Sequence, residues 1–321
     1  MLLTKKATPF CFVQVQNNGL FISLLTNNGE KSCHCMLFLK SSGGRKYGRR
    51  VMIFSCWICN DLQYSAYFCV MKHAIILGAS SGMGREVARL LLSEGWTVGL
   101  AARREQPLKD IQAEFPAQIH IAVIDITKED APEKLLALIE QTGGIDLYFH
   151  ASGVGKQNAD LQKDIEMNTV ETNAMGFTRM IDTVFNVMKA QGGGHIAVIS
   201  SIAGTKGLGP APSYSATKAF QNTYIQALEQ LSNAQRLNIS FTDIRPGFVD
   251  TPLIEGSNFP MQLSVEKAAK LIVRAIHRRK HVAVIDWKYR MLVTAWRLIP
   301  NCIWRRLNLL RKMTDKIAVQ C

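Results

Sequence analysis

The sequence predicts an α/β protein built on a doubly wound, parallel, seven-stranded sheet. Short apolar runs at residues 73–77, 97–102, 119–124, 146–150, 195–200, 238–244 and 281–285 read as strands. Amphipathic segments of helix length separate most of them, and that alternation produces parallel sheets with helical crossovers. A glycine-rich turn from Gly78 to Gly84 follows the first run directly.

The regular alternation begins at Met71. Before it stand Asn17-Asn18-Gly19, Asn27-Asn28-Gly29 and Ser41-Ser42-Gly43-Gly44, all turn-like, with no sustained period between them. Residues 1–70 are therefore expected to be an irregular, Cys-rich extension. Met71, which opens straight into the first strand, is the expected natural start. Cys33 and Cys35, then Cys56 and Cys59, include only one pair with the two-residue gap usual for zinc, so no metal site is predicted. Beyond residue 70 only Cys302 and Cys321 remain, so that part needs no disulfide and suits a reducing cytoplasm. Polar residues interrupt every long apolar stretch, and neither a spanning helix nor a signal peptide is predicted.

Residues 1–70 carry 8 Lys or Arg against 2 Asp or Glu, residues 71–263 carry 16 against 20, and residues 264–321 carry 14 against 3. The excess behind a pI near 9.5 thus sits at the two ends. The mildly acidic middle gives nucleic acid no basic surface, and no nucleic-acid partner is expected.

The first strand leads into Gly78-Ala79-Ser80-Ser81-Gly82-Met83-Gly84 and then a helix with Met83, Val87, Ala88 and Leu91 on one face, closed by Gly95. Glycine permits the tight turn and close backbone approach, and the helix N-terminus presents unpaired N–H groups to a pyrophosphate. Between strand and helix, this loop reads as a dinucleotide site of the Rossmann type. The second strand ends in Ala101-Ala102-Arg103-Arg104, where an NAD site would offer an acid to the ribose. A forked arginine suits a 2′-phosphate, so NADP is expected in preference to NAD. A solvated helix start is the other reading of these arginines, and it leaves cofactor choice open.

Tyr214 and Lys218, in Ser213-Tyr214-Ser215-Ala216-Thr217-Lys218, are four apart on a helical segment and share a face. An ammonium beside a phenol favours phenolate, which general acid–base work near neutral pH requires. Ser200 and Ser201 close a buried-looking strand at the carboxyl edge, where open α/β sheets bind ligands. The glycine loop, Ser201, Tyr214, Lys218 and Asn173 in Thr172-Asn173-Ala174-Met175-Gly176 together resemble the short-chain dehydrogenase/reductase family, from residue 71 to about 285.

The resemblance implies an oxidoreductase that moves a hydride between a nicotinamide and a carbonyl or alcohol carbon. It makes Tyr214 the general acid/base and has Lys218 hold the nicotinamide ribose and lower the tyrosine pKa. Ser201 would steady the substrate oxygen, and Asn173 would support a water in the proton relay. It places Asp125 and Ile126 beside the adenine and Ala151, Ser152 and Gly153 along the cofactor. Pro246, Gly247, Val249 and Thr251 would line the nicotinamide. Two departures stand out: Leu77 in place of Thr before the loop, and His150-Ala151-Ser152-Gly153 in place of Asn-Asn-Ala-Gly. With a Tyr–Lys pair present, His150 reads as a strand-end residue and not as a base.

About sixteen residues, 248–263, separate Gly247 from the next helix. Phe248, Leu253, Ile254, Phe259 and Met261 there suggest an apolar pocket, although a loop packing on itself would use the same residues. Residues 286–321 mix tryptophan, leucine and arginine at helical spacing and are read as a basic amphipathic tail. Two readings stay open for the tail: peripheral contact with the inner face of a membrane, or an arm packed on the body or another subunit. The expected substrate is an apolar ketone, aldehyde or lipid-like carbonyl. An acyl-carrier ketoreductase and a non-catalytic dinucleotide-binding regulator are the alternatives. The resemblance also implies a homodimer or homotetramer, paired through the helices that contain Asn173 and Tyr214.

Overall fold

A computed structural model describes residues 72–251 and 261–307, and the backbone at 10–13, 20–26, 32–39 and 55–57. The chain divides into two compact units, Met1–Cys69 and Val70–Cys321.

The larger unit holds strands β1 (His73–Leu77), β2 (Thr97–Ala102), β3 (Ile119–Val123), β4 (Leu147–His150), β5 (Gly194–Ile199), β6 (Ile239–Arg245) and β7 (Val282–Val284). They form one parallel seven-stranded sheet in the order β7-β6-β5-β4-β1-β2-β3. Each predicted strand is present, with ends displaced by at most two residues. The chain reverses direction across the sheet between β1 and β4, so a crevice opens at their carboxyl ends.

The period of two along the strands decides the core. Ala74 and Ile76 join one apolar cluster while Ile75 and Leu77 join the other, and Leu147 and Phe149 likewise alternate with Tyr148. Helices α1 (Gly82–Ser93), α2 (Gln106–Glu114) and α7 (Val265–His277) bury their stripes on the first face. Helices α3 (Ala131–Thr142), α5 (Phe177–Gln191) and α6 (Pro212–Ala234) cover the second. Leu91 on α1 is fully enclosed, so Leu91→Ala should cost about 2–5 kcal/mol. Ser264 caps α7, its hydroxyl accepting from Lys267 N at 3.3 Å.

One local feature, the π-helical turn, lies beyond the sequence reading, and a second, the packed tail, takes one of the two forms left open for it. Helix α4 (Lys163–Val170) passes through a π-helical turn, Glu171–Gly176, before α5, and Asn173 sits inside it. The tail forms α8 (Trp287–Leu298) and a short α9 (Asn301–Trp304), which fold back on the body. Trp304 packs on Trp296 at 5.6 Å and donates from Nε1 to Gly207 O at 2.7 Å. Lys206 Nζ donates to Ile299 O at 3.0 Å. Trp287, by contrast, is 61% exposed.

In the smaller unit, strands Phe10–Val13, Leu20–Thr26, Ser32–Leu39 and Ser55–Trp57 pair antiparallel in chain order.

Candidate active site

The glycine loop is shaped by contacts a side chain would destroy. Gly78 has φ +89°, and a Cβ there would lie 2.6 Å from Ser152 N; one on Gly84 would overlap the Gly78 carbonyl oxygen. The loop therefore closes on itself and on the Ala151-Ser152 segment after β4. Ser81, the N-cap of α1, makes no side-chain capping bond, which leaves first-turn N–H groups for an anion. A Cβ on Gly82 would meet Thr251 Cγ2 at 3.2 Å, so Thr251 faces the loop. Val249 is buried and pairs with Leu263, while Pro246 O accepts from Ile202 N at 3.1 Å.

The two arginines after β2 are not equivalent. Arg104 Nη2 reaches Ser80 Oγ at 3.2 Å and Ser81 Oγ at 3.3 Å, across the loop. Arg103 acts electrostatically on Asp125 after β3. Burial pushes the Asp125 carboxyl up, but hydrogen bonds from Thr127 N at 3.0 Å and Thr127 Oγ1 at 2.8 Å outweigh it and hold the group below its ordinary value. Ile126 is buried, and its carbonyl accepts from Arg179 Nη1 at 2.7 Å.

Tyr214 and Lys218 stand one turn apart on α6, with Nζ 5.8 Å from the phenol ring centre. The first turn of α6 is tied down by Glu166, whose carboxylate accepts from Ser213 N at 3.1 Å. Burial raises the Tyr214 phenol, and a hydrogen bond with Ser201 pulls it back. Burial lowers Lys218 to about 8, with the Asp243 carboxylate opposing the fall. Ser201 also caps the turn that follows β5, its hydroxyl accepting from Ala203 N at 3.1 Å.

Asn173 is fully buried. Its side chain donates to Val154 O at 2.6 Å and accepts from Val154 N at 2.9 Å, fastening the segment after Gly153 to the π-helical turn. His150 is also buried; its Nδ1 lies 3.0 Å from Tyr148 Oη, and burial together with Lys218 depresses it to about 3. A group depressed that far holds a proton too weakly to serve as general base near neutral pH.

Sequence reasoning missed two neighbours of the site. Gln221 lies one turn beyond Lys218 and bonds to it at 2.9 Å; its i,i+3 spacing was the available signal. Asp243 on β6 is held by Arg245 Nε at 2.8 Å and by Ser200 Oγ, and nothing in linear order marks that pairing. Phe248 and Met261 are joined through Tyr289 of α8: Phe248 N donates to Tyr289 Oη and Tyr289 Oη to Met261 O, both at 3.0 Å. Leu253, Ile254 and Phe259 lie outside the described residues. Among the described residues no cluster could hold a metal ion.

A glycine loop at the switch point of a parallel sheet, with a Tyr–Lys pair packed on the Gly153–Gly155 segment next to it, defines a dinucleotide-dependent oxidoreductase. The short chain dehydrogenase family matches residues 72–260, and the chain belongs to the short-chain dehydrogenases/reductases, an enzyme family with NAD(P) as cofactor. An uncharacterized oxidoreductase of Myxococcus xanthus is 32% identical over 238 residues, covering 72% of this chain and 93% of the relative. One from Staphylococcus haemolyticus is 32% identical over 217 residues, 66% of this chain and 93% of its own. The fold is shared with a short-chain dehydrogenase/reductase from Burkholderia phymatum in complex with NAD, at TM-score 0.64 and 21% identity over 70% of this chain and 92% of that one. It is also shared with a single-substitution variant of actinorhodin polyketide ketoreductase with NADPH, at TM-score 0.59 and 24% identity over 67% and 95%.

Proposed function

We propose that this enzyme uses NADP to reduce an apolar ketone, aldehyde or lipid-like carbonyl, with residues 71–285 as the catalytic domain. The observation that supports the reading is that Ser201, Tyr214 and Lys218 gather at the carboxyl end of β5 and against Gly153 and Gly155, next to the Ala151-Ser152 segment on which the Gly78–Gly84 loop closes. The residues fit a dinucleotide: the uncapped start of α1 suits its phosphates, and Arg104 across Ser80 and Ser81 suits a 2′-phosphate. When bound, the cofactor supplies the hydride that goes to the carbonyl carbon. Tyr214 Oη delivers the proton to the carbonyl oxygen as that bond becomes an alcohol, and Ser201 Oγ orients the oxygen. Lys218 binds the ribose and favours the phenolate left behind.

A screen of aliphatic and aromatic carbonyls with NADPH, followed at the nicotinamide absorbance band, tests this. Consumption with free apolar carbonyls supports it; none with any carbonyl, despite NADPH binding, points to a regulator. A groove of 670 Å³ between α7 and α8, lined by Lys267, Arg274, Arg278 and Arg290 among others, favours a second reading as an acyl-carrier ketoreductase. Activity restricted to carrier-bound thioesters would decide for it.

Two attachments belong to the proposal. Met175 and Phe220 on the Asn173 and Tyr214 helices are exposed, which supports pairing into a dimer or tetramer. On α8 the exposed stripe Trp287, Met291 and Leu298, flanked by Lys288, Arg290 and Arg297, supports peripheral contact of a cytoplasmic enzyme with an anionic membrane. Among the described residues no helix is long and apolar enough to cross one.

A further inference from the structure

Lysine carries three N–H donors. On Lys218 two of them meet protein acceptors: Ile199 O at 3.0 Å and Gln221 Oε1 at 2.9 Å. The same glutamine donates from Nε2 to Asn173 O at 2.8 Å. Lys218, Gln221 and Asn173 are all buried, Gln221 and Asn173 completely. The π-helical turn brings the Asn173 carbonyl to α6, and one amide bridges it to the ammonium.

We propose that Gln221 is a positioning residue for proton transfer: its amide fixes the Lys218 ammonium against the Asn173 carbonyl and so aims the remaining N–H at Tyr214 and the nucleotide ribose. The inference rests on the reading that Lys218 serves both. The position that the family resemblance gives to a mobile water thus has a covalently held amide beside it. A side chain fixed at both ends has no immobilisation cost to meet when the nucleotide binds. The polarity is also set, because the ammonium can only donate to Oε1, and Nε2 can only donate to the carbonyl. An uncharged acceptor holds the Lys218 ammonium without placing a second carboxylate beside the phenol. The other groups facing Lys218 are Asp243 on β6, itself engaged by Arg245 and Ser200, and the neutral His150 on β4.

Gln221→Met keeps the length and apolar bulk of the side chain and removes both hydrogen bonds; Gln221→Asn keeps the amide but is one methylene too short to span the two partners. For each full-length variant, phenolate formation is followed by ultraviolet absorbance, with Tyr214→Phe assigning the Tyr214 phase, and NADPH binding by nicotinamide fluorescence. The expected result is an upward shift of the Tyr214 titration by roughly one pH unit and about ten-fold weaker NADPH binding, the size of a lost hydrogen bond to a buried charge. A folded variant of either kind with the parent's titration and affinity would show that Gln221 only fills the core. If the methionine variant does not fold, the asparagine variant decides. The titration needs no cofactor, so it reports on Gln221 even if the parent chain binds no NADPH.

Discussion

Lys218 Nζ lies 5.8 Å from the ring centre of Tyr214, one turn further along α6, and the two side chains pack on Gly153 and Gly155, just after the Ala151-Ser152 segment that closes on Gly78. In the proposed function the phenol is the proton donor, and the ammonium serves both it and the nucleotide. Tyr214→Phe should therefore lower turnover on the order of 10²–10⁴-fold while leaving nucleotide affinity close to the parent's. Lys218→Ala should damage both. Steady-state rates with the best carbonyl from the screen, beside NADPH titrations, check this. Comparable turnover in the phenylalanine variant would place the acid elsewhere.

Cofactor choice should follow the arginines after β2. Arg104 crosses Ser80 and Ser81 and Arg103 faces Asp125, so removing both as Arg103→Ala with Arg104→Ala should weaken NADPH ten-fold or more relative to NADH. That is roughly the 1.5–3 kcal/mol of one charge-assisted contact. An unchanged ratio of dissociation constants would return both arginines to the solvated surface.

Two buried histidines should make the fold acid-sensitive. Burial lowers His150 from 6.5 to about 3 and His195 from 6.5 to about 4. Below pH 6.5 the unfolded chain takes up protons that the folded chain refuses, so stability falls as pH drops towards those values. The slope should approach roughly 1.4 kcal/mol per pH unit for each histidine. Thermal melts between neutrality and pH 4 should show His150→Asn losing less stability than the parent. Parallel melting curves would mean that His150 titrates normally.

Membrane contact through α8 can be tested without cutting the tail. Tyr289 and Trp304 are buried in the body, so ending the chain at Ile285 would strip the core. Replacing Trp287, Met291 and Leu298 by serine should leave the fold intact and abolish co-sedimentation with acidic vesicles. Each basic residue near such a surface contributes roughly 1 kcal/mol, and salt should weaken the attachment of the parent chain. If the parent ignores acidic vesicles, or the triple variant binds equally well, α8 is a structural arm only.

The parallel sheet is legible in the linear chain, because strand and helix periods are local and every apolar run from residue 73 onward has one of them. So are the glycine loop and the Tyr214–Lys218 pair, since a turn fixes the first and helical spacing the second. Other relations exist only once the chain is folded: which arginine crosses the loop, the span of Gln221 between Lys218 and Asn173, and the packing of Trp296 on Trp304 while Trp287 stays exposed. Those relations join residues on different elements, 24 positions apart for Arg104 and Ser80 and 48 for Gln221 and Asn173. Hydrogen bonds at such separations form only when the sheet brings its carboxyl ends together, and no periodicity along the chain encodes them.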